Sequence, residues 1–202
     1  MSSPFDPKVS RLNIDSKIVV ALERISEAFR ISLSEENKKH NLSNIQIQIL
    51  IFLLFHNKSL RTLTSLSEEF SISKASLSDS VKSLESKEYI IKEKNLSDFR
   101  SSSINLTEKG KEMAEEVSKF GNKIESIISV IPKDKKDLLL SSLLTVIHEL
   151  YLGGIISVKR ICVNCSYFIE DKTGNEHYCN LLNKTLKTNE LKVDCKEVVC
   201  TT

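Results

Sequence analysis

Apolar residues recur at helical spacing along most of this chain. From Asp15 to about His40, Ile18, Leu22, Ile25, Phe29 and Leu33 follow one another three or four positions apart, which predicts an amphipathic helix. A second helix is predicted in "LSNIQIQILIFLLFHN", where Ser43 and Gln46 stand at capping-box spacing; the apolar run behind them suits burial and is too short for a bilayer. Ser65 and Glu68 in "LTSLSEEF" repeat that spacing and predict a third start. Ser73 precedes "KASLSDSVKSLESK", in which Leu77, Val81 and Leu84 form one stripe. Then the period changes. "EYIIKEK" and "SINL" predict two short strands around "NLSDFRSS". Thr107 opens a long helix with an acidic first turn, running to near Pro132, and a further helix from about Lys133 to Leu152 stops before Gly153-Gly154.

Composition supports that reading. Five glycines, three prolines and 6% aromatics favour helices over a sandwich or barrel, and 202 residues suffice for one good-sized domain or two small ones. The formal net charge of +2 means that any footprint for nucleic acid must be local. Leu138 to Val158 has the length of a membrane span, but Glu149 near its middle would cost roughly 2.5–3.5 kcal/mol on insertion. A buried or interfacial helix is the expectation, with no membrane partner. "MSSPFDPKVS" lacks the apolar run of a signal peptide, so the expected compartment is the cytoplasm. No Gly-rich phosphate loop, nucleophile elbow or recognisably spaced carboxylate pair is present, which argues against a hydrolase or transferase.

Three short helices followed by a two-stranded ribbon is the order of a winged helix-turn-helix, with "LTSLSEEF" as supporting helix, "SIS" as turn and Lys74 to Ser86 as recognition helix. The pieces "LSNIQIQIL", "LSEEFSISKASLSDSVKSLESKEYI", "DFR" and "INLTEKG" occur in order from Leu42 to Gly110, and over these residues the chain resembles the MarR family of bacterial transcriptional regulators. The resemblance implies a mainly α fold: a winged helix-turn-helix at 41–110, long dimerisation helices at 1–40 and 107–156, and beyond them a small cysteine-rich module at 157–202. It implies a homodimer on a pseudo-palindromic double-stranded DNA operator, open to a small-molecule effector. With the apolar stripe turned inward, Ser73, Lys74, Ser76, Ser78 and Lys82 would meet the major groove and its phosphates. Arg100 on the wing would enter the minor groove, oriented by an ion pair with Asp98, while Arg61, Lys92 and Lys94 would add phosphate contacts. Two positions depart from the family pattern: Asp79 stands where arginine is common, and Glu88 where glycine usually precedes the first wing strand.

The cysteines are all late. None occurs among the first 161 residues; then come Cys162-x2-Cys165-x13-Cys179-x15-Cys195, and Cys200. A Cys-x-x-Cys lets two thiolates grip one metal from a tight turn, and later cysteines can complete a four-thiolate shell. Cys162, Cys165, Cys179 and Cys195 are the expected ligands, with Cys200 a spare thiol. Structural zinc and an iron–sulfur cluster both fit four thiolates, with zinc slightly favoured. A thiol–disulfide switch and cysteines without a cofactor remain as alternatives. His177 reads as a supporting or surface residue, or as a replacement ligand; His148 reads as a core or interface histidine. A different class of function stays open too: a redox or electron-transfer protein, or an interaction protein, on a winged-helix scaffold that does not bind DNA.

Overall fold

A computed structural model of the chain describes residues 3–10, 13–94, 102–157, 160–171 and 176–195. After a short helix α1 (Pro7–Ser10), α2 (Ile14–His40) begins where Asn13 accepts a hydrogen bond from the Asp15 N–H and ends where Asn41 adopts the left-handed conformation. The predicted capping box opens α3 (Asn44–Phe55): the Gln46 N–H donates to the Ser43 hydroxyl, and the Ser43 N–H donates to the Gln46 side chain. Then follow α4 (Leu63–Glu69), α5 (Lys74–Ser86), β1 (Ile90–Lys94) and β2 (Ser102–Leu106). The strands pair antiparallel, Ile90 opposite Leu106 and Lys94 opposite Ser102.

Side chains from α3, α4, α5 and both strands meet in one core. Leu77, Val81 and Leu84 are fully buried there beside Ile47, Leu50, Leu53, Leu66 and Ile104. Each such side chain stabilises by roughly 1.5–3 kcal/mol, so the stripe read from the sequence is what holds α5 in place.

Two expectations change in the structure. The start of α4 is capped by Thr62, whose hydroxyl accepts from the Ser65 N–H; the Ser65–Glu68 spacing forms no box because the helix has already begun. The helix predicted from Thr107 to Pro132 is in fact α6 (Glu108–Ser118) and α7 (Asn122–Ser129), separated by a 3-10 turn at Lys119–Gly121. Gly121 is the weakest helix former of that segment, and Phe120 packs back on the core. The last long helix, α8 (Lys133–Leu152), matches its prediction. Among the described residues no helix is long and apolar enough to cross a membrane.

Glu88 carries φ +62°. It is the left-handed residue of a Schellman ending to α5: the Glu88 N–H donates to the Glu85 carbonyl at 2.9 Å and the Tyr89 N–H to the Leu84 carbonyl at 3.0 Å. A side chain in that conformation costs about 1 kcal/mol that glycine does not. Glu88→Gly is therefore expected to raise stability by about 1 kcal/mol, read as a higher urea midpoint at unchanged m-value. A lower midpoint would contradict the assignment.

Beyond α8 a 3-10 turn (Cys162–Asn164) leads into a three-stranded antiparallel sheet of β3 (Phe168–Ile169), β4 (Glu176–Cys179) and β5 (Lys184–Lys187). This module has its own small core, in which Leu144 of α8 packs with Cys162, Leu186 and Leu191.

Candidate functional site

The turn between α4 and α5 is tight, with Ser71 at φ +51°. Ser73 caps α5 by accepting from the Ser76 N–H at 3.1 Å, so the N-terminus of the expected recognition helix is set by its own cap. Lys74 and Ser76 are exposed beside it, Ser78 is half-buried, and the exposed Lys82 lies 3.6 Å from the Asp79 carboxylate. Asp79 thus offsets part of the charge on this face.

Two of the expected phosphate contacts have other partners. Arg61 donates from Nε and Nη2 to the His56 carbonyl, at 2.9 and 2.6 Å, and burial pushes its guanidinium pKa down. It ties the α3–α4 loop, and its own carbonyl accepts from the Ile104 N–H of β2. Lys92 donates to Glu85 at 2.7 Å, which joins β1 to α5. Lys94 pairs through its backbone with Ser102. Asp98, Arg100 and Cys200 lie outside the described residues.

The four expected thiols line one cavity of about 20 Å³, closed by Phe168, Leu181, Leu182 and Leu186. That is room for about one water-sized sphere. None of the four is in a disulfide; Cys162 and Cys195 are buried, Cys165 and Cys179 half-buried. Local hydrogen bonds explain the convergence. The Cys165 N–H donates to the Cys162 carbonyl, which turns the Cys-x-x-Cys back on itself. The Cys162 N–H donates to the Lys192 carbonyl and the Cys195 N–H to the Arg160 carbonyl, at 3.0 and 2.7 Å, so the chain before the first cysteine is zipped to the chain before the last. Cys179 is brought in by β4, opposite Phe168.

The Lys192 N–H also donates to the Cys162 sulfur at 3.2 Å, the kind of bond that favours a thiolate. Burial nonetheless pushes the Cys162 thiol up, and the three neighbouring thiols add to the push. Four soft donors in an apolar pocket suit zinc or an iron–sulfur cluster. As the side chains stand, no three His, Cys, Asp or Glu groups among the described residues are close enough to hold one ion, so loading requires the thiols to draw in or spread around their ligand. His177 is not in the cavity wall; its Nδ1 accepts from the Asp171 N–H, and its ring packs on Phe168. His148 of α8 donates from Nδ1 to the Asn164 side chain, within the turn that carries Cys162 and Cys165.

Four residues that no local sequence pattern marks meet beside the cysteine module: His56, Glu69, Arg160 and Asp194. Arg160 is nearly buried and donates to Glu69 at 2.8 Å and to Asp194 at 2.9 Å. The other Asp194 oxygen accepts from His56 Nε2 at 2.6 Å. The His56 bond first, then Arg160, holds the Asp194 carboxyl at about 2 against the opposing effect of its burial. The one sequence signal is proximity: an arginine and an aspartate each stand within two positions of one of the four clustered cysteines.

This architecture defines a fold class, the winged helix-turn-helix. Residues 32–117, less than half of the chain, match the family model described as "Transcriptional regulator SarA/Rot". No curated protein matches the sequence. Among solved structures, S. aureus MepR in its DNA-binding conformation superposes with a TM-score of 0.59 at 18% identity, over 66% of this chain and 98% of that one. The S. aureus MepR–DNA complex gives 0.58 at 18% identity, over 65% and 97%. A MarR transcriptional regulator from Methanosarcina mazei Go1 gives 0.55 at 20% identity, over 66% and 98%. About a third of this chain therefore has no counterpart in these neighbours.

Proposed function

We propose that the chain is a cytoplasmic, homodimeric regulator that binds a pseudo-palindromic DNA duplex, and that Cys162, Cys165, Cys179 and Cys195 hold zinc or an iron–sulfur cluster. The observation that carries the DNA reading is the capped α5, packed by Leu77, Val81 and Leu84 so that Lys74, Ser76 and Lys82 face outward. Free N–H groups and lysines at a helix N-terminus attract phosphate, while hydroxyls reach base edges. MepR, a structural neighbour, is known in complex with DNA.

The dimer reading has its own support. Ile14, Ile18, Ile25 and Phe29 on α2, Ile127 on α7 and Leu138 and Leu152 on α8 are exposed in the single chain, an apolar surface of the kind that a second copy would cover. Paired recognition helices would then meet two half-sites about 34–36 Å apart.

Two measurements test the reading. A duplex selected from a random pool should bind with an affinity that falls steeply as salt rises, and Arg100→Ala should weaken it at least tenfold. Salt-independent or absent binding would leave the redox or interaction reading in its place. Protein purified without oxygen should carry one zinc per chain, or be brown with iron and acid-labile sulfide; a colourless, metal-free protein would remove the cofactor.

A further inference from the structure

We propose that the cysteine module is clamped onto the turn of the helix-turn-helix through Arg160–Glu69, Asp194–His56 and Ser157, and that metal occupancy of the cavity reaches the recognition helix by this route. The inference rests on the reading of the cavity as a metal site.

The clamp residues belong to the ligand segments themselves. Arg160 lies two positions before Cys162, Asp194 immediately precedes Cys195, and the Cys195 N–H bonds the Arg160 carbonyl. Thiols that draw in or spread around a metal therefore move both clamp residues together. On the other side, the contacts fall on the residues that set the direction of α5. Glu69 is the last residue of α4. Ser157 donates its only hydroxyl proton to the Glu68 carbonyl at 2.6 Å, so the Ser71 hydroxyl, 3.0 Å away, donates to Ser157. Ser71 is the left-handed residue of the turn.

The clamp also has the stiffness that a coupling element needs. The Arg160 guanidinium lies 5.2 Å from the Phe52 ring centroid, and the His56 ring stacks on the same phenyl at 3.9 Å. His56 Nδ1 donates to the Phe52 carbonyl, and the His56 carbonyl receives both Arg61 donors. Arg61 leads directly to β2 of the wing. Arg160 is only 11% exposed, so breaking either carboxylate pair would leave its charge less compensated.

The test compares hydrogen exchange in peptides spanning 63–73, with the protein reconstituted with zinc or with iron and sulfide, and then stripped by a chelator. In the wild type, stripping should raise exchange at least fivefold. In Glu69→Gln/His56→Gln, neither of which is a thiol ligand or an expected DNA contact, metal content should be unchanged and the difference should shrink below twofold. Glu69→Gln alone and Ser157→Ala alone are run beside it, since they disturb the fold least; each should cut the difference at least twofold. A wild-type difference retained in these variants overturns the proposal, as does a wild type whose exchange ignores stripping. A wild type that takes up no metal overturns the cavity reading as well, and the metal analysis alone reveals that case.

Discussion

Gly110→Ala is expected to destabilise the winged helix by about 3 kcal/mol, the upper range for an overpacked site. The added Cβ would stand 1.8 Å from the Tyr89 carbonyl oxygen and 2.7 Å from its carbon. These are backbone atoms, and they are held in place. The Tyr89 carbonyl accepts from the Thr107 N–H, and the Thr107 hydroxyl donates to the Glu88 carbonyl while accepting from the Gly110 N–H. The first turn of α6 is thus bound to the end of the α5–β1 connection, and neither side can yield without breaking the other's hydrogen bonds. Against a total stability of roughly 5–15 kcal/mol, such a loss is large. Urea unfolding should show the shift in midpoint, and a change under about 1 kcal/mol would mean that the two segments separate more readily than their bonding implies.

Cys162→Ser is expected to lower metal affinity at least a hundredfold and to release the module, while the winged helix stays folded. Cys162 is the most constrained of the four thiols: buried, bonded at sulfur by the Lys192 N–H, and a member of the module's core. A serine hydroxyl is a hard donor that does not ionise there and cannot replace the thiolate. The module's largely buried aliphatic side chains are few, Ile161, Leu186 and Leu191, with Leu144 of α8 against them, so bound metal would supply much of its folding free energy. Limited proteolysis should cut the variant after α8 and leave a resistant fragment carrying α2 to α8. Full resistance with wild-type metal content would show that Cys162 is not a ligand.

Much of the winged helix could be read because its signals are local. The Ser43–Gln46 box, the Ser73 cap and the Leu77–Val81–Leu84 stripe each lie within a few residues, and all three appear in the structure where the sequence placed them. The Ser65–Glu68 spacing misled because Thr62, three positions earlier, offered its hydroxyl to the same helix first. The break at Phe120 was hidden because Val117, Phe120, Ile124 and Ile127 keep helical spacing across it. Arg61 looked like a surface cation; its burial against the His56 carbonyl depends on how the loop closes. For the cysteines, spacing alone named the four that share a cavity. What spacing could not name were their partners in the other lobe. Arg160 meets Glu69 across 91 positions and Asp194 meets His56 across 138, distances at which a local pattern carries no information.

Those same separations order events in time. A ribosome adding about 5–20 residues per second needs roughly 7–28 s to pass from His56 to Asp194, 138 positions later. Helices α3 to α5 and both wing strands emerge well inside that interval, and a small helical domain folds much faster. Each molecule is therefore born with its winged-helix lobe complete and its cysteine lobe still unmade.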